Sequence, residues 1–102
     1  MTTIGTFTKT TDGSFHGAIR TLTLNVKGVE IRPVERTADK APDHRVFVAQ
    51  TELGAAWTVT REDKPPCLSV RIDDPSLPTP LCGLLIEAGG HHDLHWSRRY
   101  RA

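Results

Sequence analysis

Three histidines lie within five residues near the end of the chain, at His91, His92 and His95, with Asp93 between them. Imidazole nitrogens and a carboxylate oxygen can together bind a borderline metal ion such as zinc. In an extended segment, however, His91 and His95 share one face and His92 lies on the other, so at most two imidazoles converge. We therefore predict a solvated hairpin turn and no metal site, and a metal held by these histidines stays as the alternative.

A second group of candidate residues is the pair Asp73 and Asp74, which precedes Pro75. Paired carboxylates can act as general acid and base or bind a hard cation. The same sequence is also common at the end of a strand, because Asp side chains accept hydrogen bonds from local N–H groups and proline fixes φ. We interpret both residues as loop-forming. Since no nucleophile elbow, phosphate loop or zinc spacing accompanies them, we predict no enzyme and no cofactor.

Four arginines lie on or at the edge of predicted strands: Arg20, Arg32, Arg45 and Arg71. Strand alternation sends them to faces opposite the core, so adjoining strands would place their guanidinium groups in a basic stripe. Such a stripe can bind carboxylates or phosphates in a bidentate manner. The alternative is a solvated face that is neutralised by Glu30, Glu35, Glu52 and Asp73.

The end of the chain carries a further basic group, in which Trp96 is followed by Arg98, Arg99, Tyr100 and Arg101. An aromatic ring among cations can stack on a base and attract a nucleic-acid strand. Packing of Trp96 in the core or at its rim is the favoured interpretation, because indole carries a large apolar area. Residues 98–102 are predicted to form a frayed basic tail.

The elements that must position these residues are predicted to be short β-strands, because alternating runs recur between turn residues and no window has a helical apolar period. The runs cover residues 4–8, 14–26 with a break, 29–34, 44–49, 53–60, 67–73, 81–87 and 94–98. Their spacing predicts an all-β or mainly β fold: one antiparallel barrel or sandwich over residues 1–102, with about six to eight short strands and at most one short helical turn.

Local signals refine this prediction. The Thr11-Asp12-Gly13 segment predicts a tight first hairpin. A bulge or corner near Gly17 is expected because Ile19 lies out of phase with Leu22, Leu24 and Val26. Pairing is excluded over residues 74–80 by Pro75, Pro78 and Pro80. We expect the interior to contain Phe7, Phe15 and Phe47, and no disulfide to form between Cys67 and Cys82.

Length and composition agree with one globular domain. The 102 residues are 37% hydrophobic and 25% charged, and 13 basic against 12 acidic residues leave a net charge of +1. A dedicated nucleic-acid binder usually has a clear basic excess, which is missing here. The first residues lack the pattern of a signal peptide, and the longest apolar runs are far shorter than the roughly 18 residues of a membrane span. We expect a cytoplasmic protein without a membrane partner.

Seven short segments together form a pattern known from one protein family: IGTF (4–7), GAIRTL (17–22), RPV (32–34), DKAPDHR (39–45), GAAW (54–57), LSVRIDDP (68–75) and WSR (96–98). With these segments in order, the chain resembles the bacterial family named domain of unknown function 736. The resemblance implies a short protein carried on plasmids or integrative elements of proteobacteria, and it implies no mechanism. The histidine-rich segment 91–95 departs from the family pattern.

Because the sequence contains no catalytic motif and its charges are balanced, we expect a non-catalytic binding module that docks on a protein or nucleoprotein partner. The mobile-element setting that the resemblance implies suggests an inhibitor of host defence, in the manner of an anti-CRISPR protein. The alternative is a single-strand or duplex nucleic-acid-binding accessory protein of plasmid transfer or maintenance. A homodimer is also expected as an option, since unpaired strand edges and exposed apolar residues such as Leu77 can attract a symmetric partner.

Overall fold

The computed structural model describes residues 2–96, and its regular elements are all β-strands. The eight strands are β1 (Thr2–Lys9), β2 (Phe15–Arg20), β3 (Asn25–Pro33), β4 (His44–Val48), β5 (Thr51–Arg61), β6 (Lys64–Ile72), β7 (Leu81–Ala88) and β8 (His91–Trp96). Each strand pairs antiparallel with the next, and β8 returns to pair with β1, which closes a barrel. The all-β prediction is confirmed. The described residues contain no helix that could cross a membrane.

Alternation of side chains builds the core of the barrel. On β6, Leu68, Val70 and Ile72 are buried while Arg71 is exposed. The same inward placement on the other strands produces one cluster, whose largest fully buried members are Phe7, Ile19, Ile31, Leu85, Leu94, Val29, Val46 and Val70. An eight-stranded barrel has an interior that is just wide enough for side chains to fill, so the middle of this barrel is packed, and a cavity lies at each of its ends.

Closure of the barrel removes the free strand edges that the sequence led us to expect. Thr2 lies opposite Trp96 and Phe7 lies opposite His92, so the first strand has partners on both sides. Leu77, expected to be exposed, is half-buried and packs against the core. Within residues 2–96 every strand already has two neighbours. The expectation that two copies of the chain associate through an unpaired strand edge is therefore wrong.

The link between β2 and β3 differs from the prediction. The expected irregularity near Gly17 is confirmed, since the register shifts between Gly17 and Ile19. A Cβ atom at Gly17 would lie 2.1 Å from a backbone oxygen of β1. Leu22 does not join a buried face, however, because residues 21–24 form a turn in which the Thr21 N–H donates to the Leu24 carbonyl at 2.7 Å. Leu22 is 102% exposed at this turn.

Other local predictions have clear outcomes. The first hairpin is confirmed, with φ of +89° at Gly13. Residues 74–80 form the predicted loop outside the strands. Both cysteines are free, and the register places Cys82 opposite Arg71 and thus away from Cys67. The prediction for Phe47 is wrong, because its neighbour Val46 fills the inner face and Phe47 therefore lies on the outer wall. The predicted basic tail, residues 98–102, lies outside the described residues.

Candidate binding surfaces

Three of the four candidate arginines lie in one row on the outer wall of the barrel. Arg32 on β3 is directly opposite Arg45 on β4. Arg45 is opposite Ala55 on β5, and Ala55 is opposite Arg71 on β6. The side chains of these arginines are 45%, 40% and 44% exposed. We call Arg32, Arg45 and Arg71 the arginine row.

The fourth candidate, Arg20, is separate from this row. It lies opposite Asn25, at the start of β3, whereas Arg32 lies near the end of that strand. Arg20 is exposed, and within residues 2–96 no carboxylate lies within salt-bridge distance of it. Its surroundings belong to the barrel end described below.

Each arginine of the row has a carboxylate beside it. The Arg32 guanidinium donates to Glu30, two residues earlier on the same strand. Arg45 lies 3.5 Å from Glu52 across the strand pair, and Arg71 lies 3.9 Å from Asp73. Like charges directly opposite each other destabilise a sheet, and the carboxylates offset this repulsion. Since the ion pairs are exposed, each contributes at most about 1 kcal/mol.

Two aromatic side chains flank the arginine row. The Phe47 ring lies under the Arg32 guanidinium, 4.6 Å from its carbon to the ring centroid, which is a cation–π contact. On the other side, Trp57 lies on β5 opposite Ser69, two residues beyond Ala55. Its indole N–H donates to the Lys40 carbonyl at 3.0 Å, so the loop between β3 and β4 holds the ring in place.

The outer surface of the barrel is recessed between Arg45 and Arg71, because the residues there are small. A shallow cavity of about 230 Å³ lies there, with Gly54 and Ala55 in its lining and Glu52 and Asp73 at its sides. Gly54 has no room for a side chain, because a Cβ atom would lie 1.9 Å from the Arg71 carbonyl oxygen. The two guanidinium groups therefore stand beside a depression in the wall, which suits a protruding side chain of a partner.

Two of the candidate histidines, His91 and His92, lie in a different region, at one end of the barrel. His92 contributes to a cavity of about 350 Å³ that also contacts Lys9, Phe15 and His44. Its ring meets the edge of Phe15 with the centroids 4.9 Å apart, and its Nδ1 atom is buried without a hydrogen-bond partner. Burial lowers the pKa of His92, although the nearby Glu87 charge opposes the shift.

His91 and His95 share the outer face, as alternation predicts. His91 Nε2 lies 3.2 Å from the Asp93 carboxylate, and His95 Nδ1 lies 3.1 Å from the Thr3 hydroxyl. Residues 2–96 contain no group of three His, Cys, Asp or Glu side chains placed to hold a metal ion. The structure thus separates the three histidines into two surroundings.

Asp43 anchors the loop between β3 and β4 at the end of the barrel that contains His92. One carboxylate oxygen accepts from the Thr58 N–H at 3.0 Å, and the other lies 2.7 Å from His44 Nδ1. Burial would raise the pKa of Asp43, but the hydrogen bonds from His44 and Thr58 outweigh burial and lower the pKa. The ionised Asp43 therefore fastens the loop that covers Trp57.

The opposite end of the barrel is apolar and contains Asp74. Asp74 accepts from the N–H and hydroxyl of Ser76, at 2.9 and 2.5 Å, which is the local turn chemistry predicted for it. Since Asp73 lies beside Arg71 instead, the two carboxylates have separate partners. Trp96 also belongs to this end, where it packs against the core and lies opposite Thr2.

A protein-family model described as "Protein of unknown function (DUF736)" matches residues 3–99. The chain belongs to this family. No curated protein and no solved structure matches the chain.

In this DUF736 protein, sequence reasoning found the three arginines of the row and missed the two aromatics beside them. Phe47 sits in the apolar run 46–48, and the signal for its position was Arg45, which lies two residues earlier on the same strand and shares its outer face. For Trp57 a signal existed, because the buried Ala56 beside it fixes the alternation of β5. The candidates Arg98, Arg99 and Arg101 lie outside the described residues.

Proposed function

We propose that this DUF736 protein is a non-catalytic binding module that docks on a protein or nucleoprotein partner through the outer wall of β3 to β6. The docking wall comprises Arg32, Phe47, Arg45, Trp57 and Arg71. The observation that carries the proposal is the arginine row with an aromatic ring on each side. Arginine, tryptophan and other aromatic residues are enriched at the centres of protein interfaces, where few residues supply most of the binding energy.

Electrostatics support a protein surface as the direct contact rather than bare phosphates. Glu30, Glu52 and Asp73 already lie beside the three guanidinium groups. A phosphate backbone would meet these carboxylates at every step along the row, and the net charge of +1 creates no broad attractive field. A protein surface with carboxylates and cations in alternation can match both signs. Such matching gives specificity more than affinity.

The wall is also held ready for binding. Phe47 and Glu30 together fix Arg32, and the Lys40 carbonyl fixes the Trp57 ring. Side chains that are ordered before association lose less entropy on binding. In its finer form, our proposal is that the protein inhibits a host defence complex by occupying a subunit or nucleic-acid contact. The support for this form is the mobile-element setting implied by the family resemblance.

The experiment is affinity capture from plausible host lysates with the wild-type chain and a double variant, Arg45→Ala with Arg71→Ala. The exposed ion pairs contribute little to stability, so the variant is expected to stay folded. As the control, Lys27→Ala with Lys64→Ala removes the same charge from two exposed positions at the opposite ends of β3 and β6 from Arg32 and Arg71. We expect the wild type and the control to capture the same partner. The arginine variant should bind it at least about 30-fold more weakly, as for a hot spot worth roughly 2 kcal/mol.

Two outcomes would contradict the proposal. Undiminished capture by the arginine variant would place the contact elsewhere on the barrel. Binding to nucleic acid alone, with an affinity that falls steeply as salt rises, would favour the accessory role in plasmid transfer or maintenance. A gel shift at low salt with micromolar protein and purified DNA or RNA separates that role from protein docking.

A further inference from the structure

The end of the barrel opposite His92 holds an apolar cavity of about 280 Å³. Eight aliphatic side chains line it, and we call this cavity the apolar mouth: Ile19, Leu24, Val26, Val29, Val48, Leu53, Ile72 and Leu77. Five of these remain only half-buried, namely Leu24, Val26, Val48, Leu53 and Leu77. Among residues 2–96, the side chains that line the mouth include no aromatic ring, which suits an aliphatic side chain better than a planar ring.

A fully exposed leucine stands at the same end of the barrel. Leu22 lies in the turn between β2 and β3, two residues before Leu24 of the mouth, and its exposure is 102%. Single exposed apolar residues are ordinary on protein surfaces. Leu22 differs from them because it projects beside an apolar cavity of complementary chemistry. Its own turn carries it outward, since the Thr21 hydroxyl accepts from the Leu24 N–H at 3.1 Å.

The strand order places this turn across the mouth from the loop that contains Asp74. In a closed ring of eight strands, the β2–β3 turn and the β6–β7 loop are separated by four strands in either direction. The two segments are therefore diametrically opposed. One side of the mouth presents Arg20 and Leu22, and the other presents Asp74 and Leu77.

We propose that the apolar mouth binds a second copy of this chain, so that two barrels meet mouth to mouth about a twofold axis and each Leu22 enters the mouth of its partner. The twofold axis lies in the contact plane and is perpendicular to the line that joins the β2–β3 turn to the β6–β7 loop. This axis places the β2–β3 turn of each copy against the β6–β7 loop of its partner. The same patch then meets itself, and each contact occurs twice, as in any isologous dimer.

The charges around the mouth are complementary under this symmetry. Arg20 is exposed at the end of β2 and lies across the mouth from Asp74 of its own copy. Hydrogen bonds from the hydroxyl and the N–H of Ser76 lower the pKa of Asp74, so its carboxylate is ionised at neutral pH. The twofold axis brings Arg20 of one copy to Asp74 of the other, and it forms two such ion pairs in one dimer.

The size of the contact agrees with a specific dimer of moderate strength. The barrel measures 34 × 29 × 28 Å. A cross-section of that size covers on the order of 600 Å² per copy, at the lower limit of the range for specific interfaces. An aliphatic centre with a charged rim is the usual anatomy of such an interface.

Sedimentation equilibrium on the full chain between about 1 and 200 μM tests the proposal. We expect the wild type to reach twice the monomer mass within this range. Leu22→Asp should weaken dimerisation at least about a hundredfold, because two leucines per dimer lose their burial and each contributes roughly tenfold. Leu22→Met is the matched control and should dimerise like the wild type. Since Leu22 is fully exposed in the single barrel, neither change should alter its fold.

A charge exchange tests the orientation of the two copies. Arg20→Glu alone and Asp74→Arg alone should each weaken the dimer, and the double variant should recover it. A wild type that stays monomeric at 200 μM, or a dimer that survives Leu22→Asp, would overturn the proposal. Two single variants that weaken the dimer without recovery in the double variant would overturn the proposed orientation. Occupation of the mouth by an aliphatic ligand in the purified monomer would also count against a second copy.

Discussion

Replacing His92 by phenylalanine is expected to stabilise the barrel. The Nδ1 atom of His92 is buried without a hydrogen-bond partner, and an unsatisfied buried polar atom costs roughly 1–3 kcal/mol. The imidazole borders a cavity that admits water, so we take the lower part of this range, about 1 to 1.5 kcal/mol. Phenylalanine removes the orphaned nitrogen and keeps the edge-to-face contact with Phe15, where the two rings are 72° apart.

The gain should depend on pH. Burial lowers the pKa of His92 below its ordinary value of about 6.5, so the unfolded chain binds more protons than the folded chain under mildly acidic conditions. The wild type is therefore fully stabilised above about pH 6.5 and loses stability as pH falls from there towards the folded pKa. Because phenylalanine does not titrate, its advantage over His92 should be larger at pH 5.5 than at pH 7.5.

Urea unfolding at pH 7.5 and pH 5.5 measures both effects, and thermal unfolding should show a rise of about 4–8 °C per kcal/mol for a domain of this size. The matched control is His91→Phe, because the His91 side chain is 44% exposed on the outer face and lies beside Asp93. No gain is expected there. A His92→Phe variant that is no more stable than the wild type at either pH would refute the reasoning, because Nδ1 would then have a partner in solution.

Three further outcomes follow from the barrel. Gly54→Ala should lower the free energy of unfolding by about 2 kcal/mol or more, since its Cβ would lie 1.9 Å from a backbone oxygen of β6; circular dichroism against urea measures the loss. Asp43→Asn should weaken the acceptor for the Thr58 N–H and speed proteolysis within residues 34–43. Because the pKa of Asp43 is lowered, its carboxylate stabilises the fold above about pH 3.8 and that stabilisation is lost below it, so the variant should show a shallower acid transition. A thiol reagent should label the half-buried Cys82 in the native state and the buried Cys67 only on unfolding; equal native rates would contradict the burial of Cys67.

The sequence predicted those features that depend on alternation within one strand. Leu68, Val70 and Ile72 alternate with polar residues, so both the strand and the outward direction of Arg71 were predictable. The exclusion of pairing after residue 73 followed equally from the proline spacing. What no single strand encodes is the register across strands, and the arginine row exists only because Arg32, Arg45 and Ala55 are opposite one another.

The errors arose where an apolar pattern allowed more than one phase. Leu22, Leu24 and Val26 have the spacing of a strand, but the Thr21 hydroxyl and backbone close a turn over the first of them. Phe47 lies between Val46 and Val48, and a run of three apolar residues does not by itself indicate which is outward, although Arg45 two residues earlier does. Tertiary packing decided both cases, because the inner face had room for Val46 and the outer wall offered Phe47 the guanidinium of Arg32.

The pairing of β1 with β8 has a consequence for how the protein is made. β1 ends at Lys9 and β8 begins at His91, so β1 leaves the ribosome well before its second neighbour has been synthesised. Until then the nascent sheet is open along β1, and the inward residues of the early strands are covered on one side only. An arrested or truncated nascent chain that lacks β8 would therefore expose the unpaired edge of β1 to other nascent chains on the same mRNA. We therefore expect faster synthesis of the segment between β1 and β8 to lower aggregation of the nascent protein.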